Sequence, residues 1–65
     1  MEEFNYEIQS LDQLDEFQVF YHKYGVCHVL QAMDSIDAYQ CEVLEPDNSD
    51  IDIFYLEIGD KIRLS

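Results

Sequence analysis

The sequence predicts a small α+β domain: one amphipathic helix packed on a three- to four-stranded antiparallel sheet, in the order β-α-β-β-β with a further short strand optional at the end. Three features lead there. Apolar residues recur at helical spacing over 11–24, apolar and polar residues alternate over 4–9, and the remainder falls into short β-branched runs punctuated by turn residues.

The opening run, Phe4-Asn-Tyr-Glu-Ile-Gln, would place Phe4, Tyr6 and Ile8 on one face of a strand. Ser10 then reads as a helix N-cap, and Gln13, three residues on, completes a capping box. Asp12, Asp15 and Glu16 follow in the opening turns, where the helix dipole favours carboxylates. Leu14, Phe17, Tyr21 and Tyr24 repeat at spacings of 3, 4 and 3, with Phe20 in the same stripe. His22 and Lys23 suit a last turn, and Gly25 suits the left-handed residue that ends a helix. A helix over 11–24 is the result.

Beyond it the chain reads as β. Val26-Cys-His-Val-Leu is strand-like, although an apolar run of this length also fits a helical segment over 26–33. Asp34-Ser-Ile-Asp offers turn chemistry before a strand over 38–44, and Glu45-Pro-Asp-Asn-Ser is the clearest turn in the chain. A strand over 51–58 has both faces partly apolar. Gly59-Asp60 turns into a short edge strand over 61–64, which carries Lys61 and Arg63.

At 65 residues the chain makes a single domain, 1–65, with 48% hydrophobic and 14% aromatic residues. That composition supports a real but thin core, which a homodimer would help to complete. Fifteen acids against three bases give a net charge of −12. The acids run through the whole chain among hydrophobic residues, so the folded body must carry the charge. A body of this length has a radius of gyration of about 11 Å, hence a diameter of roughly 28 Å. Duplex DNA carries about 16 charges over that distance. Direct binding to nucleic acid or to an anionic membrane surface is thereby disfavoured. The opening Met1-Glu2-Glu3 lacks a basic signal-peptide region, and no apolar run reaches the length of a membrane span. The expectation is a cytoplasmic protein with reduced thiols.

No cofactor, metal or catalytic centre is expected. His22, Cys27, His28 and Cys41 match no zinc spacing, and buried cysteines with surface histidines explain them better. Asp47-Asn-Ser-Asp-Ile-Asp resembles half a calcium loop, but lacks its glycine and its closing glutamate. Ser10, Ser35, Ser49 and Ser65 suit caps, turns and the terminus, and no phosphate loop or nucleophile motif occurs. A chain this short has little room for an enclosed pocket of the usual size of about 300 Å³ or more, so the protein is read as non-enzymatic.

What stands out is the acidic surface. Asp50 and Asp52, two apart on a strand, would share a face at about 6.6–6.8 Å, with Glu42 on the neighbouring strand joining the row. Asp12, Asp15 and Glu16 cluster on the helix, and Asp34 and Asp37 flank a hairpin turn. Rows of this kind imitate the spacing of backbone phosphates. In length, charge and aromatic content the chain resembles the small acidic inhibitors of bacteriophages and mobile elements: the anti-CRISPR, anti-restriction and uracil-DNA glycosylase inhibitor class. The resemblance implies a nucleic-acid mimic in a bacterial host, whose partner is a basic nucleic-acid-binding protein, a CRISPR effector first among them. An acidic interaction module that regulates a transcription factor is the alternative. Carboxylates accept bidentate arginine well, and exposed tyrosines, with Tyr39 and Tyr55 as candidates, would anchor the contact.

Self-repulsion at −12 on so small a body destabilises the compact state. Relief of that repulsion by salt or by protonation should raise the melting temperature with ionic strength, and as pH falls from 7 toward about 5. Thermal melts over a grid of pH and salt check this, and a temperature that falls steadily along both axes would contradict it.

Overall fold

In the computed structural model, which describes residues 4–64, the chain is almost entirely β. The acids Glu2 and Glu3 and the terminal Ser65 lie outside the described residues. Six strands, β1 Tyr6–Glu7, β2 Val19–His22, β3 Gly25–Met33, β4 Ala38–Pro46, β5 Ile53–Glu57 and β6 Lys61–Leu64, form one antiparallel sheet in the order β1-β6-β2-β3-β4-β5. The only helical element among them is a 3-10 turn of three residues, Asp34–Ile36. This overturns the α+β expectation and the helix over 11–24.

Part of the physical reason lies in the residues themselves, and pairing with β3 and β6 supplies the rest. Phe17-Gln-Val-Phe-Tyr-His is aromatic and β-branched, a composition that loses side-chain freedom in a helix and suits a pleated surface. Read with period two, Phe20 and His22 turn inward while Val19 and Tyr21 turn outward. β2 then pairs with β3 from Val19↔His28 to His22↔Gly25. Half of the capping chemistry survives without a helix. Gln13 Oε1 accepts from the Ser10 amide at 2.8 Å and from the Gln9 amide, and so closes a turn in the 8–18 loop. Gly25 serves the sheet rather than a helix end. Its φ is +126°, and a Cβ there would sit 2.0 Å from the Glu45 carbonyl oxygen of β4.

Other boundaries shift modestly. The first strand shrinks to Tyr6–Glu7, β4 extends to Pro46, β5 starts at Ile53, and residues 26–33 are strand. β6 is no edge: it lies between β1 and β2.

The sheet cannot be flat. β5 and β6 are four strand spacings apart in the sheet order, about 19 Å in a flat sheet. Only Ile58, Gly59 and Asp60 join them, and four Cα steps reach at most about 14 Å. The connection is tighter still, since the Asp60 amide donates to the Glu57 carbonyl at 3.0 Å in a turn. The sheet therefore curls until its two ends approach. Two irregularities in the β3–β4 register, beside Leu44 and Leu30, add the twist this needs. The Gly59 amide donates to the Ile8 carbonyl at 2.7 Å, and the Ile8 amide donates to the Asp60 carbonyl at 2.9 Å. The Cα radius of gyration is 10.8 Å.

Inside the curl sit Ile8, Leu14, Phe20, Cys27, Val29, Tyr39, Cys41, Val43, Leu56 and Ile62. Burial of each large apolar side chain contributes about 1.5–3 kcal/mol. Tyr39 belongs to this core with 1% exposure, so it is not the exposed anchor that the sequence reading took it for. Its hydroxyl oxygen accepts from the Gln13 and Leu14 amides at 3.1 and 3.0 Å, which fastens the 8–18 loop to β4.

Tyr39→Phe would leave two loop amides without that acceptor, one of them on the buried Leu14. The expected cost is about 1–3 kcal/mol in urea denaturation, because an unmet buried donor loses its full hydration. A loss below a few tenths would mean that the loop is held by other contacts.

Candidate functional site

Three segments that carry carboxylates meet at the Ala38–Tyr39 start of β4. The 8–18 loop is fastened there through Tyr39 and through a backbone bond from the Phe17 amide to the Val29 carbonyl at 2.7 Å. It carries Asp12, Asp15 and Glu16, all exposed, in turns rather than on a helix. The Ser10 hydroxyl donates to the Asp12 carboxylate. A shallow hollow of about 330 Å³ lies between Leu14 and Glu16 of this loop and Val29, Gln31, Ala32 and Tyr39 of the sheet. Asp34 and Asp37 bound the 3-10 turn that leads into Ala38, and Asp37 takes the left-handed conformation at φ 51°. Glu57 lies opposite Ala38 in the β4–β5 register. None of these three segments contains lysine or arginine.

The remaining candidates separate from this group. Asp50 and Asp52 are exposed but lie in the segment before β5, so the strand row expected of them does not form. The Asp52 carbonyl accepts from the Val43 amide at 2.8 Å, which ties that segment to β4. Glu42 does face outward on β4. It meets His28 Nε2 at 3.0 Å instead of extending an acidic row. Tyr55 is exposed at 47% on the outer face of β5.

The bases sit apart. Arg63 lies 4.2 Å above the Tyr21 ring, and Lys23 lies 5.5 Å from the Tyr24 ring centroid. Lys61 is opposite Glu7 across β1 and β6.

A second concavity, an open cleft of about 620 Å³, is lined by Phe4, Tyr21, His22, Lys23, Glu45 and Asp47 among others. His22 on its wall is half-buried, stacked on Phe54 with ring centroids 4.7 Å apart, so it is not a surface histidine. His28 is likewise drawn in, with 18% of its side chain exposed. Cys27 and Cys41 are buried free thiols, and burial pushes them up to about 11 and about 12, away from thiolate chemistry. No group of three or more His, Cys, Asp or Glu among the described residues is placed to hold a metal ion. In the 47–52 segment the Asn48 side chain donates to Asp47, and the Ile51 amide donates to the Ser49 hydroxyl at 3.1 Å, as in an ordinary polar turn. No helix among the described residues is long and apolar enough to cross a membrane.

The sequence reading missed the outward aromatic and aliphatic residues Phe17, Val19 and Ile53. The alternation in Phe17-Gln-Val-Phe-Tyr-His was the available signal. Period two puts Val19 on the outer face, where the helical stripe had assigned Phe17 to a core.

Burial depresses the His22 pKa, Lys23 adds to the depression and Asp60 opposes it. A base kept neutral in the fold but free to protonate when unfolded contributes stability above about pH 6.5 that is lost as pH falls through that value. The sign is opposite to that of the relieved self-repulsion. His22→Phe keeps a ring against Phe54 and cannot titrate. Its stability relative to the parent should improve progressively from pH 7 to pH 5 in paired thermal melts. A constant difference across that range would remove His22 as a source of pH dependence. No family model, curated protein or solved structure matches the chain.

Proposed function

We propose that the protein is a non-enzymatic acidic inhibitor of the bacterial cytoplasm. It imitates nucleic acid and occupies the basic DNA- or RNA-binding surface of a defence or DNA-processing protein, a CRISPR effector first. The observation that supports this reading is that the three segments carrying Asp12, Asp15, Glu16, Asp34, Asp37 and Glu57 meet at the start of β4 and contain no lysine or arginine. A net charge of −12 on a body with extents of 30 × 22 × 16 Å adds long-range attraction to a basic groove. The mechanism is competitive. Arginine and lysine side chains of the groove pair with carboxylates in place of phosphates, and complementary charge speeds the encounter.

Labelled DNA competition against a CRISPR effector, a restriction endonuclease and a uracil-DNA glycosylase tests the reading. At least one should lose its DNA on addition of the protein, with an apparent affinity that weakens steeply as salt rises. The double variant Asp12→Lys with Asp15→Lys should weaken inhibition far more than Asp50→Lys with Asp52→Lys, which lies in the other acidic segment. Each lost contact is worth about 1.5–3 kcal/mol if desolvated and close to zero at an exposed rim. A partner that binds DNA and this protein together, with neither affecting the other's affinity, would make it an adaptor instead of a mimic.

A further inference from the structure

The outer face of the sheet carries a mixed row of apolar and polar side chains, with a strained aromatic residue beside it. The register aligns Val19, His28, Glu42 and Ile53 in one row across β2, β3, β4 and β5. Their chain neighbours Phe20, Cys27, Cys41 and Phe54 belong to or pack on the core, so the row points outward. Phe17 lies beside the row, its ring centroid 5.7 Å from that of His28. Phe17 is 58% exposed, the largest value among the exposed large hydrophobic residues, and Val19 and Ile53 are 43% and 45% exposed.

Phe17 also has φ +64°, a left-handed conformation that a bulky side chain adopts only at a cost. Backbone bonds on both sides impose it. The Phe17 amide donates to the Val29 carbonyl, and the Val29 amide donates to the Gln18 carbonyl at 3.1 Å. Glycine or asparagine would take this conformation more readily. The fold therefore meets a conformational cost to hold a ring that stays mostly in water, and strain of this kind points toward binding.

The charge near the ring identifies what fits it. Asp15 and Glu16 precede Phe17 directly in the chain, and Glu42 pairs with His28, whose ring lies beside that of Phe17. An exposed aromatic ring on an acidic segment suits a guanidinium, which stacks flat on a ring and forks onto carboxylates. An ammonium is more strongly hydrated and does neither as well. A second copy of the chain would bring another −12 to the contact, which argues against self-association through this face. Building on the proposed function, we infer that Phe17 with its neighbouring carboxylates is the seat for an arginine side chain of the basic partner. The mimic thus recognises arginine by stacking as well as by charge.

Hexa-arginine and hexa-lysine peptides provide the probe, titrated at matched low ionic strength into the parent, Phe17→Asn and Phe17→Leu proteins, with a thermal melt of each. Asparagine relieves the left-handed strain, and leucine keeps the bulk without the ring quadrupole. The parent should bind hexa-arginine more tightly than hexa-lysine. Both variants should lose about two- to fivefold of the hexa-arginine affinity, the range set by an exposed cation–π contact, with hexa-lysine affinity unchanged. Phe17→Asn should melt at or above the parent temperature. Equal affinity for both peptides, unaffected by either variant, would overturn the arginine seat and leave the acidic-surface reading standing. Failure of both peptides to bind the parent would overturn that reading too. Concentration-dependent association of the parent that Phe17→Asn abolishes in sedimentation would assign this face to a second copy and also overturn the inference.

Discussion

The three residues between β5 and β6 constrain nearly everything else in this molecule. Ile58, Gly59 and Asp60 carry the chain from one end of the sheet order to a strand lodged between β1 and β2. A flat sheet cannot satisfy so short a connection, so the strands must curl and bring their inner faces around one core. Gly59 and Asp60 exchange backbone hydrogen bonds with Ile8. Those bonds fix where the 8–18 loop begins, Tyr39 and Val29 fix where it runs, and the acids of the loop are placed as a consequence. The absence of a Cβ at Gly25 allows β3 and β4 to come together at the other end of the same curl.

Within that frame the chain manages its charge by dispersal. Apart from Glu42 and Asp60, which are partly covered, the described acids lie exposed on loops, turns and outward strand positions. Repulsion among them is felt mainly through water, where salt screens it. The core is left to uncharged groups, including two thiols whose ionisation burial suppresses. His22 is the counter-current: covered by Phe54 and Tyr24, it resists protonation in the fold, so its contribution to stability falls as pH falls through the ordinary histidine range.

On the proposed function, recognition divides in a comparable way. Exposed carboxylates would act at a distance, steering a basic surface inward and setting the salt dependence, but each would contribute little at close range unless water is removed. The exposed ring of Phe17 offers the short-range contact that an acidic coat lacks.

By itself the sequence determined the charge, the turns at 34–37 and 59–60, and the burial of Cys27 and Cys41, because each depends on local composition or residue type. Asp34-Ser-Ile-Asp and Gly59-Asp60 turn as their residue types require, and 26–33, 38–44 and 61–64 are strand. The 11–24 segment was legible only in part. Its spacings of 3, 4 and 3 fit a helix, its capping side chain forms the capping contact, and Phe17-Gln-Val-Phe-Tyr-His fits a strand equally well. Local propensity differs between those states by less than the pairing of β2 with β3 and β6 contributes, so distant strands decided the outcome. For the same reason Tyr39 could not be assigned from its neighbours in sequence. Whether a tyrosine meets a partner or holds a loop depends on what lies across the core, and only the curl brought Gln13 and Leu14 to its hydroxyl.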